Sequence, residues 1–214
     1  MKGLLLTNYY LVYRSIFAYV GLALLISGVL LFFAGPMVSG VAAMLIILLM
    51  TLPSLEVIKI ESKSGYDKYV LTLPVSRSNI VRSHYIFYLS VVIIGAFLSY
   101  IVIYTYDLIF ETQINGIINI ISSGIFVVLL AGALIYPFLY IFGADKSDAF
   151  VLGGGFVGLF VYYGIKFLVE DLIDKLPLSI DSSLLVPILF IVLGITVFTL
   201  SYLIAVIIYR KKEF

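Results

Sequence analysis

A long run without charge constrains this chain more than any other feature of its sequence. No Asp, Glu, Lys or Arg occurs between Ser15 and Leu55. As one helix this run would measure about 60 Å, roughly twice the ~30 Å thickness of the hydrocarbon core of a bilayer. Gly35-Pro36 lies near its middle, and such a pair favours a turn. The run therefore predicts a hairpin of two membrane-spanning helices, over about residues 16–34 and 37–56.

The composition agrees with a membrane protein and excludes several classes of function. Of the 214 residues 63% are hydrophobic and 12% are charged, whereas a soluble domain is about half apolar and a quarter charged. The chain has no cysteine and one histidine, which excludes disulfides, cysteine nucleophiles and multi-histidine metal centres. A net charge of +1 gives no reason to expect nucleic acid as a partner. We expect a single membrane domain over residues 1–214, in contact with lipid and without a cleaved signal peptide.

Four further apolar stretches complete a prediction of six spans in an all-α fold. They cover about residues 82–106, 117–142, 149–169 and 184–208. The stretch at residues 2–14 is too short and too polar to span. We expect it to form a separate helix lying at the membrane interface, with a simple extension of the first span as the alternative.

The distribution of basic residues predicts the orientation, because cytoplasmic loops are enriched in Lys and Arg. If both termini are cytoplasmic, eleven basic residues lie inside and only Lys166 and Lys175 lie outside. The eleven are Lys2, Arg14, Lys59, Lys63, Lys68, Arg77, Arg82, Lys146, Arg210, Lys211 and Lys212. This asymmetry places the loop between the second and third spans in the cytoplasm.

The longest polar stretch of the chain, from Glu61 to Tyr85, contains this loop. Four of its residues have the spacing of one helix face, namely Tyr66, Tyr69, Val70 and Leu73. Ser64 and Asp67 fit a capping box at the start of such a helix, and Pro74 ends it. A short amphipathic helix is therefore predicted. Its apolar face could cover the membrane surface, the bundle of the chain itself or a partner protein.

The same stretch carries a family resemblance. Its runs Gly65-Tyr66-Asp67-Lys68-Tyr69 and Thr72-Leu73-Pro74-Val75-Ser76-Arg77, followed by Ile80-Val81 and Ser83-His84-Tyr85, resemble the loop after the second span of ABC-2 type transporter permeases. The resemblance implies the ABC-2 fold, with the loop forming a coupling helix that docks on an ABC ATPase. It also implies a second copy of this permease, or a similar one, as partner. The chain has no GxxxxGK[ST] motif, so ATP and Mg would be bound by the ATPase and no cofactor by this chain.

The resemblance assigns candidate contact residues. Those expected to couple to the ATPase are Glu61, Ser64, Tyr66, Asp67, Tyr69, Val70, Leu73, Pro74 and Arg77. A minor second contact is expected in the turn before the fifth span, at Asp145, Lys146 and Asp148. A plainer alternative stays open for the acidic residues, in which they only solvate helix ends, as Glu61 would beside Lys59 and Lys63. The family also implies short helices dipping into the outer leaflet within residues 164–183, with an extension of the fifth span as the alternative.

Several glycines lie close together in the predicted fifth span. Gly153, Gly155 and Gly158 match the spacing of a dinucleotide-binding fingerprint, but no strand precedes them and the run is uncharged. We interpret Gly154 and Gly158, four residues apart, as a site of close helix packing. That packing could lie within one subunit or across a dimer.

No predicted span carries a charge at mid-membrane depth, which argues against ion-coupled transport and against intramembrane catalysis. This absence agrees with an ATPase partner, and the ABC-2 resemblance implies the permease subunit of an ATP-driven exporter in a bacterial plasma membrane. A substrate-binding subunit of an ATPase-linked uptake system stays open as an alternative. An intramembrane enzyme is the alternative from a different class.

Many aromatic residues in the spans suit an amphipathic or lipid-like substrate, because rings meet its apolar face and hydroxyls its polar groups. They are Tyr88, Phe97, Tyr100, Tyr104, Tyr106, Phe126, Tyr136, Phe138, Tyr140, Phe156, Phe160, Tyr162 and Tyr163. The small size and bare loops most resemble the ABC-2 permeases with which bacteria expel amphipathic helical peptides, such as the exporters of the staphylococcal phenol-soluble modulins. Cytolytic peptides are therefore one expected class of substrate, with drugs and lipids as the others.

Overall fold

The computed structural model describes residues 2–143, 146–175 and 182–212, and within these ranges the only regular structure is helical. The six long helices are α1 (Lys2–Ala34), α2 (Ser39–Ser64), α4 (Arg77–Phe110), α5 (Ile117–Phe142), α6 (Ser147–Lys175) and α7 (Ser182–Lys211). A short helix, α3 (Tyr66–Tyr69), lies between α2 and α4. The strongly apolar stretches of the sequence thus form helices, which satisfy their own backbone hydrogen bonds away from water.

Five helical segments of the described residues are long and apolar enough to cross a membrane. The first, Lys2–Ser64, contains α1 and α2 joined by a 3₁₀ turn at Gly35–Val38. Gly35 has φ +68° and Pro36 follows it, so the turn forms where the sequence predicts it. Counted separately, α1 and α2 would give the predicted six spans, and that count stays a prediction.

Helix α5 is the central and most buried helix of the bundle. It packs against α2, α4, α6 and α7, while α1 packs on α2 and α4. Glycines allow these close approaches. A Cβ added at Gly132 of α5 would lie 2.6 Å from the Tyr88 ring, and one added at Gly154 of α6 would lie 2.5 Å from Ile135 of α5. Gly158 likewise faces the Val127 carbonyl of α5, so the glycine pair serves packing within one subunit.

The predicted N-terminal interfacial helix is wrong as a separate element. Helix α1 runs without a break from Lys2 to Ala34, as in the alternative of an extended first span. The reason lies in its packing. Val12 is buried in a cluster with Val57 of α2 and Phe87 of α4, so the bundle itself covers the apolar side of this stretch.

The short re-entrant helices expected within residues 164–183 do not form as far as Lys175. Helix α6 continues unbroken from Ser147 to that residue. No proline occurs between Ser147 and Lys175, and the next one in the sequence is Pro177, so nothing in this stretch ends the helix. Residues 176–181 lie outside the described part of the chain.

Polar contacts bring several helix ends together at one end of the bundle. Lys59 of α2 pairs with Asp148 of α6, and Arg77 of α4 reaches the last carbonyls of α7. The last turns of α2, α5 and α7 and the first turns of α4 and α6 therefore lie side by side. We call this region the basic end, since eleven of the thirteen Lys and Arg residues belong to it by the predicted topology.

Candidate functional site

The connecting segment, residues 65–76, links α2 to α4 at the basic end. Gly65 ends α2 in the left-handed region with φ +72°, and α3 then continues into a 3₁₀ turn at Val70–Thr72. Leu73, before Pro74, is extended with φ −80° and ψ 154°, as a residue that precedes proline prefers. A short helical stretch therefore forms and ends where the sequence predicts it.

The predicted capping box is wrong. Ser64 is the last residue of α2, and its hydroxyl donates to the Glu61 carbonyl at 3.1 Å. The Asp67 carboxylate accepts from the Lys68 N–H at 2.9 Å and does not reach back to the start of the helix. Because α2 continues through Ser64, the left-handed Gly65 separates the two helices and no side chain caps α3.

The apolar side of the connecting segment packs on the bundle of the chain itself. Val70 is fully buried in a cluster that includes Leu55 of α2 and Ile80 of α4. Tyr66 and Leu73 are half-buried against the same cluster. Tyr69 points away from it, with 59% of its surface exposed. One side of the segment is therefore anchored and the other is open.

The predicted coupling residues divide accordingly into three groups. Ser64, Tyr69 and Pro74 are exposed, and Glu61 and Val70 are buried. The half-buried residues are Tyr66, Asp67, Leu73 and Arg77. Only the first group lies fully open to a partner.

Arg77 lies at the start of α4 and binds the end of α7. Its Nη1 donates to the Arg210 carbonyl at 3.0 Å and to the Lys212 carbonyl at 2.8 Å. The last carbonyls of a helix lack partners within it, so the guanidinium supplies donors that α7 needs. Lys212 Nζ in turn donates to the Tyr140 carbonyl of α5 at 2.9 Å. The connecting segment is therefore flanked by a tie between α4, α5 and α7.

Glu61 does not solvate a helix end beside Lys59 and Lys63, and that expectation is wrong. Its carboxylate is buried, with Oε2 at 3.1 Å from His84 Nε2. His84 Nδ1 lies 2.8 Å from the Tyr140 hydroxyl. Lys59 forms its ion pair with Asp148 of α6. Sequence reasoning missed this buried chain, although His84 is the sole histidine and lies two helical turns after Arg77.

The expected second contact lies at the start of α6. Lys59 Nζ lies 2.6 and 2.8 Å from the two Asp148 carboxylate oxygens, and the Asp148 side chain is largely exposed. Lys146 is exposed, with its ammonium 6.0 Å from the centre of the Phe142 ring. Asp145 lies outside the described residues. This turn thus shares the basic end with the connecting segment.

A groove of about 260 Å³ lies between α2, α5 and α6 and is lined almost wholly by apolar side chains. A second cavity, of about 320 Å³, lies further from the basic end and adds polar groups such as Asn119 and Ser123. One face of α2 lines both, at residues 40, 41, 44, 48, 51, 52 and 55, and Met37 of the preceding turn lines the second cavity. Met44 lines the second cavity and Leu159 lines the groove, and both pack against one cluster. The two cavities therefore follow one line along the bundle.

The aromatic residues do not form a single lining. Five are buried in the core: Tyr88, Phe126, Tyr136, Tyr140 and Tyr162. Tyr106 is half-buried, and the others lie on the outer surface of the bundle. The Tyr88 hydroxyl donates to the Val128 carbonyl at 2.6 Å, so it is already engaged. Tyr88 and Phe156 line the groove with part of their surface, and Tyr162 and Tyr163 line the second cavity.

Comparison with known protein families gives a match over nearly the whole chain. Residues 3–210 match the model of the ABC-2 family transporter protein. The chain belongs to the ABC-2 transporter family. It is therefore a multi-pass membrane protein and a permease subunit of an ABC transporter, and the family implies an ABC ATPase partner and a dimeric permease. Searches of the curated proteins and of the solved structures found no significant match.

Proposed function

We propose that this ABC-2 permease is the membrane half of an ATP-driven exporter in a bacterial plasma membrane. A separate ATPase subunit binds ATP and Mg and docks on the connecting segment from the cytoplasm. Both termini lie on the same side as the segment. The permease works as a pair, either with a second copy or with a similar chain.

The observation that carries this proposal is the division of the connecting segment into an anchored and an open side. Val70 packs with residues of α2 and α4, and Tyr69, one position earlier, is exposed. A partner that binds the open side pushes on a segment whose other side is fixed to two spans. A rigid packed core transmits such a push with little loss. The segment therefore suits a coupling element better than a plain connection.

The charges at this end support a cytoplasmic position. Lys59, Lys63, Lys68 and Arg77 lie in or beside the connecting segment, and Arg210 lies at the end of α7 beside Arg77. Positive residues in short loops favour the cytoplasmic side of a membrane. The ATPase would thus reach the open side of the segment directly.

The cavities support an amphipathic or hydrophobic substrate. The groove beside α6 offers apolar side chains, and the second cavity adds amide and hydroxyl groups along the same line. A substrate with one apolar face and one polar face meets both kinds of surface, whereas a sugar or an inorganic ion needs dense polar contacts. Amphipathic peptides, including cytolytic ones, are the substrate class that we propose.

The test is the affinity of the purified permease for its ATPase after Tyr69→Ala. Truncation of one aromatic residue at an interface centre costs about 2–4 kcal/mol, which weakens binding roughly 30-fold or more. Tyr163→Ala is the matched control, because Tyr163 is 62% exposed but lines the cavity away from the basic end. Unchanged affinity in Tyr69→Ala would show that the connecting segment is not where the ATPase docks.

A further inference from the structure

A buried polar chain joins three helices at the basic end, and docking of an ATPase does not by itself require it. Glu61 lies in the last turn of α2, His84 in α4 and Tyr140 near the end of α5. At most 5% of the surface of any of the three is exposed. Glu61 Oε2 lies 3.1 Å from His84 Nε2, and His84 Nδ1 lies 2.8 Å from the Tyr140 hydroxyl.

The buried polar chain of these three side chains lowers the stability of the fold if its only task is to hold the bundle together. A buried carboxylate and imidazole lose hydration, and well-packed apolar residues would stabilise the same place at least as well. The cost is not fully offset here, since His84 Nε2 makes no aligned hydrogen bond despite its 3.1 Å distance from Glu61. The contact is therefore one that a small shift would complete or break.

The position of the chain matches the path that a movement of the connecting segment would take. Glu61 precedes Gly65 by four residues, about one helical turn, so displacement of the segment reaches it first. α5 is not connected to the segment along the chain, and the His84–Tyr140 contact supplies a polar link to it. α5 forms a wall of both cavities. A shift of α5 would thus alter the surface that faces a substrate.

A cavity beside the buried polar chain leaves room for its side chains to move. This cavity of about 60 Å³ touches Glu61, His84 and Tyr140, and about 10–15 Å³ of such space is enough to hold a water molecule. Asp67 of the connecting segment, and Tyr209 and Lys212 at the end of α7, line the same cavity. The side chains around His84 are therefore not locked by close packing on every side.

We propose that His84 is a positioning residue that carries movement of the connecting segment from Glu61 to Tyr140, and so to α5. The proposal rests on the coupling role proposed above. Movement of the last turn of α2 makes or breaks the Glu61–His84 contact. The His84–Tyr140 contact then draws the end of α5 along.

The test uses single cysteines to report movement at the two ends of this path, since the protein has no cysteine of its own. Ser64→Cys reports on the exposed last residue of α2, directly before the connecting segment, and Asn119→Cys reports on the exposed start of α5. The reconstituted complex with its ATPase is labelled with a water-soluble thiol reagent, with and without ATP. We expect ATP to change both labelling rates by about five-fold or more, the low end of typical coupling between sites.

Two substitutions then remove the link at its centre. His84→Gln keeps an amide near Nε2 and loses the Nδ1 contact, and Tyr140→Phe loses the hydroxyl of the same contact. Each is expected to abolish the ATP response at residue 119 while the response at residue 64 persists. The double variant should lose no more than either single one, because both delete one contact.

Tyr85→Phe is the matched control. It removes a hydroxyl from a tyrosine of α4 that is also buried and that contacts Ser201 Oγ at 2.8 Å, outside the chain through His84. In Tyr85→Phe the ATP response of the labelling rate at residue 119 should stay unchanged.

The possible failures are distinguishable. No ATP response at residue 64 in the otherwise unsubstituted permease contradicts the coupling role itself. A response at residue 64 but none at residue 119, or a response at residue 119 that survives His84→Gln, contradicts the inference alone. If Tyr85→Phe loses the ATP response at residue 119 equally, or if the loss in each variant follows a lowered melting temperature, then the contacts of His84 only stabilise the fold.

Discussion

The two ends of the bundle are built differently. At the basic end, side chains distant in sequence tie helix to helix: Lys59 to Asp148, Arg77 to the end of α7, and Glu61 to Tyr140 through His84. At the opposite end the Tyr106 hydroxyl of α4 donates to the Leu31 carbonyl of α1, while the Asp107 carboxylate of α4 accepts from Thr112 and Ile114 in the loop that follows it. Among the described residues the larger cavity also lies toward this opposite end.

This difference suits a transporter that is driven from one side of the membrane. An end that receives force needs its helices joined, so that a push on one moves the others together. An end that releases a substrate needs helices that separate at low cost. Packed interfaces favour discrete arrangements over gradual bending, so ties at one end and a cavity at the other favour tilting of whole spans.

The largest expected effect concerns which end faces the cytoplasm. Ser64, the last residue of α2 before the connecting segment, and Asn115, in the loop between α4 and α5, are both exposed and suit single cysteines. An impermeant thiol reagent added to intact cells should label Asn115→Cys and not Ser64→Cys, because basic residues stay inside. After lysis both should react. Labelling of Ser64→Cys from outside would reverse the assignment of the two ends.

A smaller effect is expected at the groove between them. Gly155 of α6 lines the groove with open space where a side chain would point. Gly155→Leu fills part of it and so denies an apolar substrate side chain its burial there, which is worth about 1.5–3 kcal/mol, so transport of a labelled amphipathic peptide should fall about tenfold or more. The measurement uses vesicles that hold equal amounts of the complex.

Gly153→Leu provides the matched control for this substitution. Gly153 lies on the same helix with equally open surroundings, but it does not line the groove. Both variants gain helix propensity alike, so only their positions differ. Equal transport by the two variants would remove the groove from the substrate path.

The sequence predicts the bundle well and its polar contacts poorly. Helix α5 is predicted at residues 117–142, and those are its bounds. The turn at Gly35-Pro36 also forms as predicted, because glycine and proline act through local backbone geometry. The predicted break between a helix at residues 2–14 and a first span beginning near residue 16 is wrong. Val12 packs against α2 and α4, so α1 runs through this point without interruption.

In the candidate site, too, the sequence predicts local geometry but not contacts between distant residues. The end of the short helix before Pro74 follows from the sequence, because the restriction is local. The burial of Glu61 does not, since it depends on His84, twenty-three positions later, and on Tyr140 of a third helix. Arg77 is likewise predicted as a partner contact and is found on the end of α7. Pairings of distant residues need the assembled bundle.

The smallest expected effect concerns the Lys59–Asp148 pair. It spans α2 and α6 at the basic end, but the Asp148 side chain is largely exposed, and exposed ion pairs contribute little to stability. Lys59→Ala and Asp148→Ala should therefore leave the melting temperature of the purified permease unchanged within error. Lys63→Ala, one turn further along α2 and exposed, is the control for loss of a positive charge alone. If Lys59→Ala and Asp148→Ala lower the melting temperature alike while Lys63→Ala does not, the pair stabilises the protein measurably, in addition to joining α2 to α6 at the basic end.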